Sequence, residues 1–287
     1  MNTYTLAGRA VPRIGFGAMQ LVGHRPVPRE RAVAVLRRAV ERGVTHIDTA
    51  EFYGDGAVNA LIRDTLAPYP DELLLATKVG AVRSGGTLAA AQRPAELRAQ
   101  VEANLASLSV ERLGVVNVRR ADAPPGIIAT GEQQVPLDDQ LAELITLRDN
   151  GKIGGIGLSN VDAAQLEGAL PAGIACVQNS HSVLDRAAEP VLDLCRAHAI
   201  AWVPFCPLGS AFAGHPKVAD DPVVREVAAT LGATPAQVGL AWLLARYEGT
   251  LLIAGTTDPA HLDENLAAGD LVLDERSLAR LDTLGAA

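Results

Sequence analysis

The chain predicts an α/β fold, a (β/α)8 TIM barrel with an N-terminal β-hairpin. Short apolar runs alternate with amphipathic helical patterns along nearly its whole length, giving about eight βα units. Polar, chemistry-bearing residues stand at the ends of those runs, Asp48 after His46-Ile47 and Lys78 after Leu73 to Thr77, where a parallel barrel gathers its loops. The 287 residues are somewhat more than the ~250 typical of one such barrel, so residues 1–287 are expected to form a single domain.

Each element has a local cause. Tyr4 to Leu6 and Val11 to Ile14 flank Ala7-Gly8-Arg9-Ala10, a hairpin signal with glycine at the turn. The run from Ile14 to Gln20 reads as the first barrel strand and its loop, with Gly17 permitting close backbone approach to a ligand. Residues 28–42 carry Ala32, Val33, Val35, Leu36 and Val40 on one helical face, and residues 94–108 carry Leu97, Val101, Leu105 and Leu108 likewise. Helices are also expected over 57–66, 137–150 with Gly151 at the stop, 190–198, 222–231 and 235–246. Residues 82–93 and 124–135, rich in Gly, Ala or Pro, read as loops, and Leu251-Leu252-Ile253 as the last strand. The glycines of Lys152-Ile153-Gly154-Gly155-Ile156-Gly157 sit among apolar strand positions, not between a strand and a helix, which excludes a Rossmann fingerprint.

The stretch GVTHIDTAEFYGDG, residues 43–56, is the centre of the chemical reading. A strand ending in Asp48 and a loop carrying Tyr53 can lean over one mouth, and the next strand in order delivers Lys78 to the same rim. Carboxylate, ammonium and phenol then make a proton-transfer group in which Tyr53 is the acid. Taken singly, the same residues also read as a helix cap, a solvated lysine and a packing tyrosine.

Composition narrows the partners. With 25 Lys and Arg against 33 Asp and Glu the net charge is −8, which disfavours nucleic acid and anionic membranes. Apolar residues make up 48%, yet no run approaches the ~20 needed to span a bilayer. The first residues, MNTYTLAGRAVPRIG, lack the pattern of a signal peptide, and the three cysteines Cys176, Cys195 and Cys206 are odd in number and widely spaced. A cytoplasmic protein is expected, with no metal-ligand spacing. Cys206 has no partner base at a recognisable position, so it is not read as a nucleophile.

GVTHIDTAEFYGDG followed by Ala76-Thr77-Lys78 closely resembles the aldo-keto reductase superfamily, and further matches follow in order. The resemblance implies an NAD(P)H-dependent enzyme that reduces an aldehyde or ketone, with the hairpin plugging the closed end of the barrel. Asp48, Tyr53 and Lys78 match the catalytic positions. At the fourth, where relatives have histidine, Val116-Asn117-Val118-Arg119 places Arg119, and strand alternation puts Asn117 on the same face; both are candidate substrate contacts. Arginine donates hydrogen bonds but is permanently charged, and a second cation is expected to favour the Tyr53 phenolate more than in a typical member.

Cofactor contacts carried over from the resemblance are Gly17, Ala18, Met19 and Asp48 near the first strands, and Ser159, Asn160 and Gln178 at the nicotinamide carboxamide. Phe205 would stack on the ring, with Pro207, Leu208, Gly209 and Ser210 following. Gly255, Thr256, Thr257, His261, Glu264 and Asn265 would hold the adenosine end, at the kind of helix N-terminus that attracts anions. Thr257 and His261 stand where relatives often have arginine, and an inward Asp258 would repel a phosphate, so NADPH is the cofactor reading with NADH left open. The Arg119 strand resembles a bacterial subgroup with pyridoxal-reductase-like members, which points to a pyridoxal-like aromatic carbonyl. The alternative is a dinucleotide-binding, redox-sensing module with little turnover.

Overall fold

The computed structural model describes residues 2–22, 27–84, 86–209 and 216–285. Strands β1 (Thr3–Leu6) and β2 (Arg9–Pro12) form the expected antiparallel hairpin. The barrel proper begins with β3 (Phe16–Gly17), α1 (Arg29–Glu41), β4 (His46–Asp48), α2 (Ala57–Leu66) and β5 (Leu74–Val79). After β5 comes a departure from expectation. Residues placed in a loop form an antiparallel hairpin of β6 (Ala81–Ser84) and β7 (Thr87–Ala90), with Gly86 at φ +82° in its turn. Its strands are short and half-exposed, so they carry no alternating apolar signal.

Then follow α3 (Pro94–Leu108), β8 (Leu113–Arg119), α4 (Leu137–Asp149), β9 (Ile153–Ser159), α5 (Ala163–Ala169), β10 (Ile174–Gln178), α6 (Glu189–Ala197) and β11 (Ala201–Trp202). The chain ends with α7 (Pro222–Leu231), α8 (Pro235–Arg246), α9 (Pro259–Ala267) and α10 (Glu275–Leu281). Proline at the first turn recurs because its missing N–H costs nothing there, and Asp221, Thr234 and Asp258 supply the cap oxygens ahead of it.

Seven strands pair in parallel in the order β11-β10-β9-β8-β5-β4-β3. The expected last strand, Leu251-Leu252-Ile253, makes only single bridges, but these close the ring. Leu252 N–H donates to Arg13 O and Gly15 N–H to Leu252 O, both at 2.8 Å, while Leu251 N–H reaches Trp202 O at 2.7 Å. Gly17 and Gly255 belong to this seam. A Cβ at Gly17 would stand 2.3 Å from Ile253 O, and one at Gly255 would stand 2.3 Å from Gly17 O. The close approach that calls for glycine is therefore between two strands of the barrel itself.

Alternation along the strands separates two cores. Outward residues such as Ile47, Leu75, Val116, Val118, Ile156 and Leu158 pack beneath the helices. Inward residues, including Leu74, Ala76, Val115, Cys176 and Leu251, fill the barrel, and Leu6 and Val11 of the hairpin plug its base. Above that apolar plug Asp48, Lys78, Asn117, Arg119, Ser159 and Gln178 form a polar layer.

Candidate active site

The polar layer is built from strand ends. Asp48 ends β4, Lys78 lies near the end of β5, Arg119 ends β8, Ser159 ends β9 and Gln178 ends β10. Asp48 and Lys78 are 3% and 6% exposed, and Lys78 Nζ donates to an Asp48 carboxylate oxygen and to Thr49 O at 3.2 Å. The other Asp48 oxygen accepts from Gln178 Nε2 at 2.7 Å.

Tyr53 comes from the β4–α2 loop, its half-buried ring lying with its centroid 5.1 Å from Lys78 Nζ and edge-on to Phe52. Burial pushes the phenol above its ordinary pKa; Asp48 adds to that, while Lys78 and Arg119 pull against it without cancelling it. Arg119 does pull towards phenolate, as expected of a second cation, but loss of water around the ring outweighs both cations and the phenol stays protonated. Burial would lower Lys78, but the negative charge of Asp48 and the Tyr53 oxygen leave it raised, so the ammonium stays charged.

Arg119 and Asn117 do share a face. Arg119 donates to Pro125 O, lies 3.5 Å from Ser159 Oγ and stands 5.3 Å over the Phe205 ring. No carboxylate pairs with it among the described residues. Asn117 is fully buried one layer deeper, donating to Thr77 O at 3.2 Å, and Gly157 makes room for it, since a Cβ there would fall 2.0 Å from Asn117 Oδ1.

Around this centre lie the residues expected to hold a dinucleotide. Ser159 and Gln178 are register partners, and Gln178 Oε1 is buried with no hydrogen-bond partner among the described residues. That orphaned acceptor suits a carboxamide N–H2, so the donor set fits a nicotinamide. Asn160, at φ +61°, turns its Nδ2 to Ala123 O at 2.7 Å. Phe205 is held by its N–H to Asn179 O at 3.0 Å, and Cys206 and Gly209 follow at positive φ, with Pro207 and Leu208 between them. Burial raises the Cys206 thiol, which agrees with its rejection as a nucleophile. Ala18 is buried beside β4 and Met19 is exposed at the rim; Ser210 lies outside the described residues.

At the far end Thr256 and Asn265 are buried, Thr257 is half-buried, and His261 and Glu264 are exposed on α9. Asp258 caps α9 through Ala260 N–H at 2.9 Å and pairs with Arg31, whose Nε also donates to Thr257 O at 2.8 Å. The sequence reading missed Arg31, which lies on α1, far away in the chain. It also missed a buried network around Asn59, whose only sequence signal is an amide on the apolar face of α2.

The Aldo/keto reductase family model matches residues 13–286. The chain belongs to the aldo/keto reductase family. This reductase is 42% identical over 291 residues to pyridoxine 4-dehydrogenase of Escherichia coli (strain K12), covering 98% of this chain and 97% of that protein. An uncharacterized oxidoreductase of Schizosaccharomyces pombe is 32% identical, covering 99% and 90%. Among solved structures, an aldo-keto reductase from Klebsiella pneumoniae in complex with NADPH superposes with a TM-score of 0.81 at 26% identity, covering 98% of this chain and 94% of that one. The reductase is accordingly an NAD(P)H-dependent oxidoreductase of small-molecule carbonyls. Among the described residues no single helix is long and apolar enough to cross a membrane, and no cluster of His, Cys, Asp and Glu suits a metal.

Proposed function

We propose that this reductase interconverts a pyridoxal-like aromatic aldehyde and its alcohol with NADPH, Tyr53 acting as the proton donor. The observation that carries the proposal is the Asp48, Lys78 and Tyr53 array at the barrel mouth. NADPH, when bound, supplies the hydride that the carbonyl carbon receives. Tyr53 gives its proton to the oxygen as charge develops there, a task suited to a phenol that burial keeps protonated. Lys78, held charged by Asp48, then lies beside the phenolate that remains and stabilises it. Ser159 and the free acceptor of Gln178 orient the carboxamide, and Phe205 gives the ring a stacking face. At the adenosine end Arg31 neutralises Asp258, which removes the expected repulsion of a 2′-phosphate and favours NADPH.

Arg119 supports the substrate class. Among the described residues its guanidinium has only neutral hydrogen-bond partners, which supports its availability to an anionic oxygen. Pyridoxal offers a phenolate oxygen next to its aldehyde, and the most similar relative described above is named for the corresponding alcohol.

The test is the loss of reduced-nicotinamide absorbance with NADPH and NADH over an aldehyde panel including pyridoxal. Tyr53→Phe is expected to lower kcat by about 10²- to 10⁴-fold. Arg119→His is expected to raise KM for pyridoxal by roughly tenfold while sparing an uncharged aldehyde, the loss of one charge-assisted hydrogen bond. Cofactor binding without turnover on any carbonyl would replace this reading with the redox-sensing module, and an unchanged preference in Arg119→His would remove the pyridoxal assignment.

A further inference from the structure

Directly behind the barrel mouth, on the outer side of β4 and β5, is a polar cluster that the chemistry above does not use. Asn59 on α2 is fully buried between Val58, Leu61 and Ile62, an expensive place for an amide unless every bond is made. Its Oδ1 accepts from Thr49 Oγ1 at 2.8 Å, and its Nδ2 donates to Glu51 Oε2 at 2.6 Å and lies 3.0 Å from Asn104 Oδ1 and Ser107 Oγ on α3. Ser107 Oγ donates to the same Glu51 oxygen at 2.6 Å, and Thr77 Oγ1 donates to Asn104 Oδ1 at 2.6 Å.

Every strand or loop member adjoins a group of the proposed proton-transfer array. Thr49 follows Asp48, and its carbonyl also holds Lys78 Nζ. Thr77 immediately precedes Lys78 in β5. Glu51 anchors the loop that carries Tyr53, a loop further closed by Gly56 N–H on Glu51 O at 2.7 Å and Val58 N–H on Tyr53 O at 3.4 Å. A Cβ at Gly56 would stand 2.8 Å from Glu51 Oε1, so the carboxylate is hemmed in on that side too.

We infer that Asn59 is a positioning residue which, through Thr49, Glu51 and Thr77, fixes the separation of Tyr53 from Lys78. The inference rests on Tyr53 being the proton donor. Asn59 bonds Thr49 and Glu51 directly and reaches Thr77 through Asn104, so a shift of Asn59 moves the loop of the phenol relative to the strand of the ammonium. Misplacement of reacting groups by about 1 Å costs on the order of 100-fold in rate.

The experiment compares Asn59→Ala, Ser107→Ala, Glu51→Ala and Glu51→Gln with the wild type and Tyr53→Phe, using NADPH and an aldehyde the wild type reduces. Asn59→Ala and Glu51→Ala are expected to lose about 10- to 100-fold in kcat while KM for NADPH stays within about twofold. Glu51→Gln keeps an acceptor oxygen for both donors and is expected to recover most of that loss. With NADPH deuterated at the transferred position, the slowed variants are expected to show a larger isotope effect on kcat, which a general loss of folded protein does not produce. Ser107→Ala, which removes a single donor, is the mildest change and carries the test if Asn59→Ala does not fold. Unchanged kcat and isotope effect in Glu51→Ala and Ser107→Ala, beside an inactive Tyr53→Phe, would overturn the positioning role alone. An active Tyr53→Phe would overturn the proton-donor assignment beneath it.

Discussion

Asp48→Asn removes one charge from the barrel mouth while keeping the shape of the side chain. Asp48 is 3% exposed, and one of its oxygens serves Lys78 while the other serves Gln178 at 2.7 Å. An amide N–H2 in place of either oxygen sets a donor against a donor. On the Gln178 side the conflict is relieved by turning that amide over, which uses up its one free acceptor. On the Lys78 side it leaves a buried ammonium without its counter-charge. Removing one member of a buried ion pair costs about 3–5 kcal/mol, and the acceptor that survives in the amide places this case near 3 kcal/mol. Burial, the largest influence on Lys78, then acts without Asp48 to oppose it, so the lysine pKa falls. A less charged Lys78 stabilises phenolate less, and kcat is expected to drop by roughly 10²- to 10⁴-fold. Urea denaturation gives the stability change, and steady-state reduction of an aldehyde gives the rate. Stability within about 0.5 kcal/mol of wild type, together with kcat within about threefold, would refute the claim that the Asp48–Lys78 pair organises the site.

His46 and His181 are each pushed down by burial from 6.5 to about 4, so the unfolded chain takes up their protons first as pH falls. Each therefore contributes stability that is complete above 6.5 and is lost towards pH 4, up to about 3 kcal/mol apiece; urea midpoints at neutral and mildly acid pH measure it, and equal midpoints would contradict it. Gly157→Ala brings a methyl 2.0 Å from Asn117 Oδ1 and 2.9 Å from Cys176 Sγ. It is expected to cost about 1–3 kcal/mol in thermal or urea unfolding, whereas a neutral result would mean that β9 shifts freely.

The site was legible wherever function is carried by position along one strand. Asp48 and Lys78 followed from the rule that barrel chemistry gathers at strand ends, Arg119 from the family resemblance and Asn117 from two-residue alternation with it, and the structure puts all four inside the barrel. The helices were legible because apolar stripes and Pro-led caps are local, as at Pro222, Pro235 and Pro259. What stayed hidden depends on partners distant in sequence. Gly17 suggested room for a ligand, but its constraint is Ile253 O across the seam; Asp258 suggested repulsion, but Arg31 on another helix neutralises it.

The Tyr53 phenol shows why electrostatics are harder to read than placement. Counting charges predicts a lowered pKa, because Lys78 and Arg119 both stand near it. Yet its direction is set by a competition in which burial is the largest influence, and burial is a property of the packed loop, not of residue 53. That loop is held by Glu51, Asn59 and Ser107, which join a strand end to two helices. The packing that buries the phenol therefore rests on side chains outside the barrel mouth. A residue such as Asn59, an amide on the apolar face of a helix, is the one trace they leave in the sequence: an unfavourable burial that only a tertiary partner explains.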